Sequence, residues 1–378
     1  MKNHSSSAAA ELSASELRRF ARHLTLPGIG FDGQRRLKQS SVLVLGAGGL
    51  GSPALLYLAA AGVGRLGIAD PDEVSASNLQ RQILFDTGQI GQLKTEAARA
   101  RLRGLYPECV IETWPEAFTA ANAMTMAGGF DLILDATDNF PSRYLSSDIG
   151  VWLKKPVLYG SIHRFEGQTT VFAPHLGAPC YRCMFPVPPP PGTVPDCSTA
   201  GVLGVLAGLI GTLQAGEAVK LLTGTGTPLL GRMLHADTLG TRFREFKLRR
   251  DPQCPVCGEN PTITEPVDYE IFCGLTPPET DLEIPADRLE AARRTHFILD
   301  VREPWEHALL PFPADRWIPW QEVSGLLASL PVGRPVLAVC RVGLRSRETA
   351  RMLRQKGHPA ATSLAGGLEA LETLKIEN

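Results

Sequence analysis

The stretch Val42-Leu-Val-Leu-Gly-Ala-Gly-Gly-Leu-Gly51 constrains the fold more than any other part of the chain. Val42 to Leu45 have the apolar character of a buried strand, and the Ala-rich run from Pro53 to Ala61 reads as a helix. Between them lie Gly46, Gly48, Gly49 and Gly51. Gly46 allows a tight turn, Gly48 lets the backbone approach a phosphate oxygen, and Gly51 lets helix and strand pack closely. The N–H groups at the helix start then face an anion. A strand, glycine turn and helix in this order predict nucleotide binding, although the glycines alone would serve an NAD-dependent oxidoreductase equally well.

The following segments continue a βαβ pattern. Arg65-Leu-Gly-Ile-Ala69 reads as the second strand and ends at Asp70, about 20 residues beyond the glycines, where a carboxylate meets ribose hydroxyls. Gln89 to Leu105 is predicted helical with Lys94 near its start, and Val110 to Thr113 reads as a strand. Asp131-Leu-Ile-Leu-Asp135 is a further strand that runs into Ala136-Thr-Asp-Asn139. Residues at the carboxyl ends of parallel strands line the crevice of such sheets, so Asp138 and Asn139 are expected to share one with Gly48 and Asp70. Pro156 to Tyr159 and Gln168 to Phe172 are later strands, and the alternation specifies a Rossmann-like, doubly wound α/β sheet. Upstream, Leu12 to Leu26 has a helical pattern carrying Arg18, Arg19, Arg22 and His23, which by itself reads as a solvated cationic face.

A chain of 378 residues with 44% hydrophobic content accommodates two domains with ordinary cores. Its net charge of −1 gives no electrostatic case for nucleic acid or a membrane surface. Ala200 to Leu213 is apolar but short, broken by Gly204, Gly208 and Gly211, and followed by Gln214 and Glu217; it reads as a close-packed core helix. The first ten residues lack the apolar core of a signal peptide. Eight cysteines without such a signal point to metal or thiol chemistry in the reducing cytoplasm.

Four of these cysteines form two C-x-x-C pairs, Cys180/Cys183 and Cys254/Cys257, the spacing of a structural, tetrahedral four-cysteine zinc site whose two knuckles come from distant segments. Between the pairs, six prolines from Pro186 to Pro195 enforce an extended loop that delivers Cys197. Cys109 and Cys273 carry no motif and read as structural. The expected organisation is a disordered stretch 1–15, a nucleotide-binding domain 16–260, a Pro/Glu/Thr-rich linker 261–286, and a small α/β domain 287–378. The last contains buried strands at Phe297 to Val301 and Val336 to Cys340 and a helix from Arg347 to Lys356.

Several separated motifs together resemble the MoeB/ThiF family of adenylyltransferases. They are Gly46-Ala-Gly-Gly-Leu-Gly51, Asp70, Ser77-Asn-Leu-Gln-Arg-Gln82, Lys94, Asp135-Ala-Thr-Asp-Asn139 and both cysteine pairs. From about Asp287 the chain resembles a rhodanese domain through Asp300-Val-Arg-Glu303, Cys340-Arg-Val-Gly-Leu-Arg-Ser346 and Gly366-Gly367. The resemblance implies that ATP and Mg²⁺ activate the C-terminal glycine carboxylate of a ubiquitin-fold sulfur carrier of the MoaD/ThiS type. Cofactor-binding residues would be Gly46, Gly48, Gly49, Gly51, Asp70, Ser77, Asn78, Leu79, Gln80, Arg81, Lys94, Asp138 and Asn139. Arg81 and Lys94 would supply cations for the phosphates, and Asp138 would hold Mg²⁺. Arg22 would reach the partner subunit's site in a homodimer. This set exceeds what a dinucleotide's two bridging phosphates require, and so separates the reading from an oxidoreductase; a non-catalytic nucleotide-binding scaffold is the other alternative.

In the rhodanese-like part, the loop from Cys340 to Arg345 can aim backbone N–H groups at the sulfur, with Arg341 and Arg345 adding positive potential. Its Arg345-Ser346 ending lacks a late acidic residue and is closer to thiosulfate-type rhodaneses, so donor preference is open. The implied donor is a persulfide source such as a cysteine desulfurase. A Cys340 persulfide would attack the acyl-adenylate, and Cys197 would either resolve the acyl-persulfide or first take the acyl group as a thioester. Molybdopterin synthesis is the leading pathway, with thiamin, tRNA thiolation and cysteine or siderophore routes as alternatives.

Overall fold

The computed structural model describes residues 11–189, 201–274, 281–331 and 333–371. These fall into two compact units that divide after Leu275. The first is built on an eight-stranded sheet: β1 (Ser41–Leu45), β2 (Arg65–Ala69), β3 (Val110–Trp114), β4 (Leu132–Asp135), β5 (Val157–His163), β6 (Glu166–Phe172), β7 (Arg232–Asp237) and β8 (Arg242–Lys247). Their order is β3-β2-β1-β4-β5-β6-β7-β8, parallel from β3 to β5 and antiparallel from β5 to β8. β1 is buried throughout, as a central parallel strand covered on both faces should be. Chain order reverses beside β1, between β2 and β4, and it is at such a point that doubly wound sheets open a ligand crevice.

Two apolar layers cover the sheet. One joins Val42 and Val44 to Leu55 and Leu58 of helix Gly51–Ala61 and to Leu206 and Ile210 of helix Gly204–Thr223. The opposite layer joins Leu43 and Leu45 to Tyr144 and Ile149 of helix Phe140–Trp152. Helix Gly204–Thr223 is long and apolar enough to cross a membrane, yet it packs as a core helix. A Cβ at Gly211 would lie 2.2 Å from the Leu50 carbonyl oxygen, and Gln214 Nε2 donates to the carbonyls of Asp135 and Leu158 at 2.8 and 3.0 Å.

Several boundaries differ from the sequence expectation. The N-terminal pattern forms two short helices, Ala14–Arg19 and Ala21–Leu24, separated where Phe20 turns inward with its ring edge-on to Tyr106. A capping box between Ser13 and Glu16 starts the first of them within the stretch expected to be disordered; residues 1–10 lie outside the described ones. The helix expected from Gln89 begins only at Lys94, because Gly91 takes φ +84° after a 3₁₀ turn at Thr87–Gln89. The described parts of the expected linker 261–286 pack with one unit or the other. Tyr269, Phe272 and Cys273 pack into the first unit's core, while Glu283–Ile284 forms a strand of the second unit.

The second unit is a parallel five-stranded sheet of β9 (Glu283–Ile284), β10 (Phe297–Asp300), β11 (Arg316–Trp317), β12 (Val336–Val339) and β13 (Thr362–Leu364), in the order β11-β10-β12-β13-β9. Its four-residue central strand β12 is wholly buried and runs directly into Cys340. Helix Leu344–Gln355 follows the Cys340 loop.

Candidate active sites

The glycine turn behaves as its spacing implies. Gly46 takes φ +89°, and a Cβ at Gly51 would lie 1.9 Å from the Gly46 carbonyl oxygen, so no side chain fits there. At Gly48, by contrast, a Cβ would meet nothing nearer than Gln82 Nε2 at 3.8 Å. The open side of Gly48 faces a cavity of about 310 Å³. This cavity gathers Gly46, Gly48, Gly49, Asp70, Asn78, Arg81, Lys94, Asp138 and Asn139, residues brought from separate stretches of chain.

The acidic wall is tightly organised. Asp70 Oδ2 accepts the Ala47 N–H at 2.7 Å and Oδ1 accepts the Asp72 N–H at 2.9 Å, so this carboxylate braces the glycine turn. Burial pushes the Asp70 pKa up, against the opposing field of Lys94 and these N–H donors. Lys94 is buried and donates to Asp72 Oδ2 at 2.6 Å, with Asp70 Oδ1 at 3.9 Å. Arg81 lies beside the turn: a Cβ at Gly49 would be 3.4 Å from Arg81 Cγ, and the guanidinium donates only to the Ser77 carbonyl, at 3.2 Å, among the described residues. Asp138 is exposed to the cavity, and Asn139 caps helix Phe140–Trp152 by accepting the Ser142 N–H at 2.9 Å.

Other expected site residues stand elsewhere. Gly51, Ser77, Leu79 and Gln80 do not line the cavity. Leu79 packs against the core, and the Gln80 carbonyl lies against Gly204. Arg22 is exposed at the surface of its own chain and is not among the cavity's lining residues. Cys197 lies outside the described residues. Sequence reasoning missed Asp72, Thr137, Ser142 and Arg143, all of which line the cavity. The signal for the last two was their position just downstream of Asp138 and Asn139, in the first turn of the helix that follows β4.

The four motif cysteines converge. Their sulfurs lie within 4.8 Å of one another, with Cys180–Cys183 at 3.7 Å, Cys180–Cys254 at 3.5 Å and Cys183–Cys257 at 3.4 Å. Such spacings approach the edges of a tetrahedron with metal–sulfur bonds of about 2.3 Å, and an all-thiolate set suits zinc. The cluster is therefore compatible with a zinc site. Arg182, inside the first knuckle, makes a wholly buried pair with Asp148 at 2.8 Å, and Tyr269 Oη donates to the same carboxylate at 2.9 Å. Cys109 and Cys273 sit apart in the core, and burial pushes their thiols up to about 12 and about 11, as inert structural cysteines require.

In the second unit Cys340 Sγ is fully buried at the floor of its loop. It accepts the N–H groups of Gly343 at 3.2 Å and Ser346 at 3.4 Å, with Ser346 Oγ at 3.3 Å. Gly366 and Gly367 close behind the loop; a Cβ at Gly367 would lie 2.4 Å from the Arg341 carbonyl oxygen. The loop arginines do not stand free. Arg345 forms a two-pronged pair with Glu306, both bonds 2.7 Å, and Arg341 approaches Glu369 at 3.3 Å and Glu306 at 3.9 Å. The acidic partner absent from the loop sequence is thus supplied from outside it.

The ThiF family model matches residues 20–256, which include the whole cavity and both cysteine pairs except Cys257 at its edge. The chain belongs to the ThiF family. A "Sulfur carrier protein adenylyltransferase" of Thermus thermophilus is 51% identical over 264 residues, 69% of this chain and 97% of that protein. The "Probable adenylyltransferase/sulfurtransferase MoeZ" of Mycobacterium tuberculosis is 41% identical over 377 residues, covering 96% of this chain and 94% of its own. That match extends beyond the ThiF region through the second unit, and this ThiF-family chain is an enzyme with adenylyltransferase and sulfurtransferase activities. The crystal structure of MccB from E. coli shares the fold, with a TM-score of 0.58 at 20% identity over 64% of this chain and 75% of that one.

Proposed function

We propose that the ThiF unit adenylates the C-terminal glycine carboxylate of a ubiquitin-fold sulfur carrier of the MoaD/ThiS type, and that the Cys340 unit then supplies sulfur to give a thiocarboxylate. The observation that carries this reading is the convergence of a glycine phosphate turn, Arg81, Lys94 and Asp138 on one cavity. A carboxylate oxygen of the carrier attacks the α-phosphorus of ATP and pyrophosphate leaves. The step needs positioning and stabilisation of negative charge more than covalent help from the protein. Gly46 to Gly49 receive the phosphates and Asp70 the ribose. Lys94 shifts from Asp72 towards phosphate oxygens, and Asp138 would hold Mg²⁺, which offsets phosphate charge when bound. In a homodimer, Arg22 of one subunit completes the other subunit's site.

The terminal sulfur of a Cys340 persulfide then attacks the acyl carbon, and AMP departs. In the resolving route, the Cys197 thiolate attacks the Cys340 sulfur of the acyl-persulfide. This forms a Cys197–Cys340 disulfide, releases the thiocarboxylate, and leaves the disulfide for reduction by cellular thiols. In the thioester route, Cys197 first displaces AMP. Cys340 is reloaded by a persulfide donor such as a cysteine desulfurase, the four-cysteine cluster holds structural zinc, and the setting is the reducing cytoplasm. Molybdopterin synthesis is the pathway we assign.

Carrier-dependent exchange of labelled pyrophosphate into ATP tests the first half. Exchange with a MoaD-type carrier, and none when its C-terminal carboxylate is amidated, is the expected result. A chain that exchanges with no ubiquitin-fold carrier would not be this enzyme.

A further inference from the structure

Arg143 is a cavity cation that this mechanism leaves unused. It lies in the first turn of the 13-residue helix Phe140–Trp152, directly after Asp138 and Asn139, and lines the cavity wall built from the end of β4. Among the described residues its guanidinium makes no ion pair and its buried Nε has no hydrogen-bond partner, with the Tyr181 hydroxyl as a hydrogen-bonding neighbour of the group. Phe140 and Tyr159 cover it, with ring centroids 5.5 and 5.8 Å from Cζ. The two buried carboxylates nearest in sequence are engaged elsewhere: Asp148 pairs with Arg182, and Asp135 accepts the Thr137 N–H at 2.9 Å and the Thr137 hydroxyl at 2.6 Å through Oδ1 and Ser146 Oγ through Oδ2. Burial opposes charge on Arg143, but the neighbouring Tyr159, Tyr181, Asp135 and Asp138 together raise its pKa, so the group stays a cation.

A half-buried cation whose Nε is buried and which has no carboxylate at ion-pair distance is costly unless something anionic completes it. The proposed reaction brings two anions together, the nucleotide phosphates and the carrier carboxylate. Arg81 sits beside Gly49 on the phosphate turn, whereas Arg143 stands on the separate β4 wall. A guanidinium presents paired donors that match a carboxylate's two oxygens. Resting on the function proposed above, we infer that Arg143 is the subsite for the carrier's C-terminal carboxylate, holding one oxygen while the other attacks phosphorus.

The test measures pyrophosphate exchange by the full-length chain against separate titrations of a MoaD-type carrier and of ATP, in wild type, Arg143→Gln and Arg143→Lys. Nucleotide binding without carrier is measured alongside. Losing one partner of a desolvated charge pair predicts a rise of at least about thirtyfold in KM for the carrier in Arg143→Gln. ATP binding should stay within about twofold, and Arg143→Lys should recover part of the loss. An equal rise in the ATP constant would make Arg143 a phosphate ligand and overturn the assignment. A lowered Tm with both constants unchanged would overturn it in favour of packing against Phe140 and Tyr159. If wild type itself shows no carrier-dependent exchange, the adenylation reading falls and the subsite falls with it; normal wild-type exchange with an unchanged carrier KM in Arg143→Gln removes the subsite alone.

Discussion

The nucleotide cavity and the Cys340 loop both rely on arginine, with opposite pairing. In the cavity, Arg81 and Arg143 face the open volume with no carboxylate at ion-pair distance among the described residues. Around Cys340, Arg345 is locked to Glu306 and Arg341 lies between Glu369 and Glu306. Unpaired cations await anionic substrates, whereas paired ones shape a loop. At Cys340 the groups aimed at sulfur are backbone amides of Gly343 and Ser346, which suit a small diffuse anion such as a thiolate or persulfide. Arginine count alone would have made the two sites look alike.

The most severe way to separate them is to delete the sulfur. Cys340→Ala should abolish sulfur transfer to the carrier while leaving pyrophosphate exchange within about twofold of wild type, because Cys340 belongs to the second compact unit. Thiocarboxylate formation, read by mass spectrometry of the carrier, checks the first part; a parallel collapse of exchange would show that the two activities are not separable.

Next in size is Arg22, which the proposed function brings to the cavity from a second subunit. Arg22→Ala should slow adenylation by about 10³-fold or more, the scale of an arginine supplied to a phosphoryl-transfer site. If Arg22 acts across subunits, mixing Arg22→Ala with Asp138→Ala should restore part of the activity. Near-wild-type exchange in Arg22→Ala would leave Arg81, Lys94 and Arg143 as the cavity's sufficient cations.

In the loop the expected damage is of another kind. Glu306→Gln leaves the buried Arg345 without its charge partner and should destabilise the second unit by about 3 kcal/mol. Urea unfolding measures this, with persulfide loading of Cys340 as a local probe and pyrophosphate exchange as the control. Glu306 titrates in the same sense. Burial raises its pKa, but Arg345, the Glu303 N–H and Arg341 outweigh that and hold it below the usual carboxylate range. Unchanged unfolding in Glu306→Gln would mean that Arg345 finds compensation in Glu303, 3.8 Å away.

What is legible in the sequence follows from how each feature is encoded. Gly46, Gly48 and Gly51 announce a backbone requirement locally, and the cysteine pairs announce a ligand set, so both can be read before any fold is known. The pairing of Arg345 with Glu306 spans 39 positions, and no local pattern reports that a loop cation is neutralised from a distant helix. The place of Arg143 just downstream of Asp138 and Asn139 is visible in the sequence, but an arginine in a helix's first turn ordinarily faces water, and only the surrounding aromatic side chains show where this one lies. The 261–286 stretch reads as a linker by composition, yet Tyr269 reaches the buried Asp148–Arg182 pair through a single hydroxyl. One tyrosine among prolines and glutamates carries little weight in a composition.

The smallest expected effect tests whether the pairing rule seen around Cys340 also holds for structure in the ThiF unit. Glu16 is buried and accepts Lys38 Nζ, the Ser13 N–H and Tyr106 Oη, each at 2.7 Å. Burial alone would raise its pKa, but these donors prevail and hold the carboxyl at about 2 rather than 4.5. A depressed folded pKa means that the ionised form stabilises the fold. That contribution, up to roughly 3 kcal/mol, is present above about pH 4.5 and is lost as pH falls towards about 2. Glu16→Gln should therefore unfold at a lower temperature than wild type at pH 6, with the gap narrowing as pH drops towards about 3, inside the window between those two values. A gap that stays constant over that range would show that Glu16 acts through its hydrogen-bond geometry and not its charge, and the contrast between paired and unpaired ions would then apply to the arginines alone.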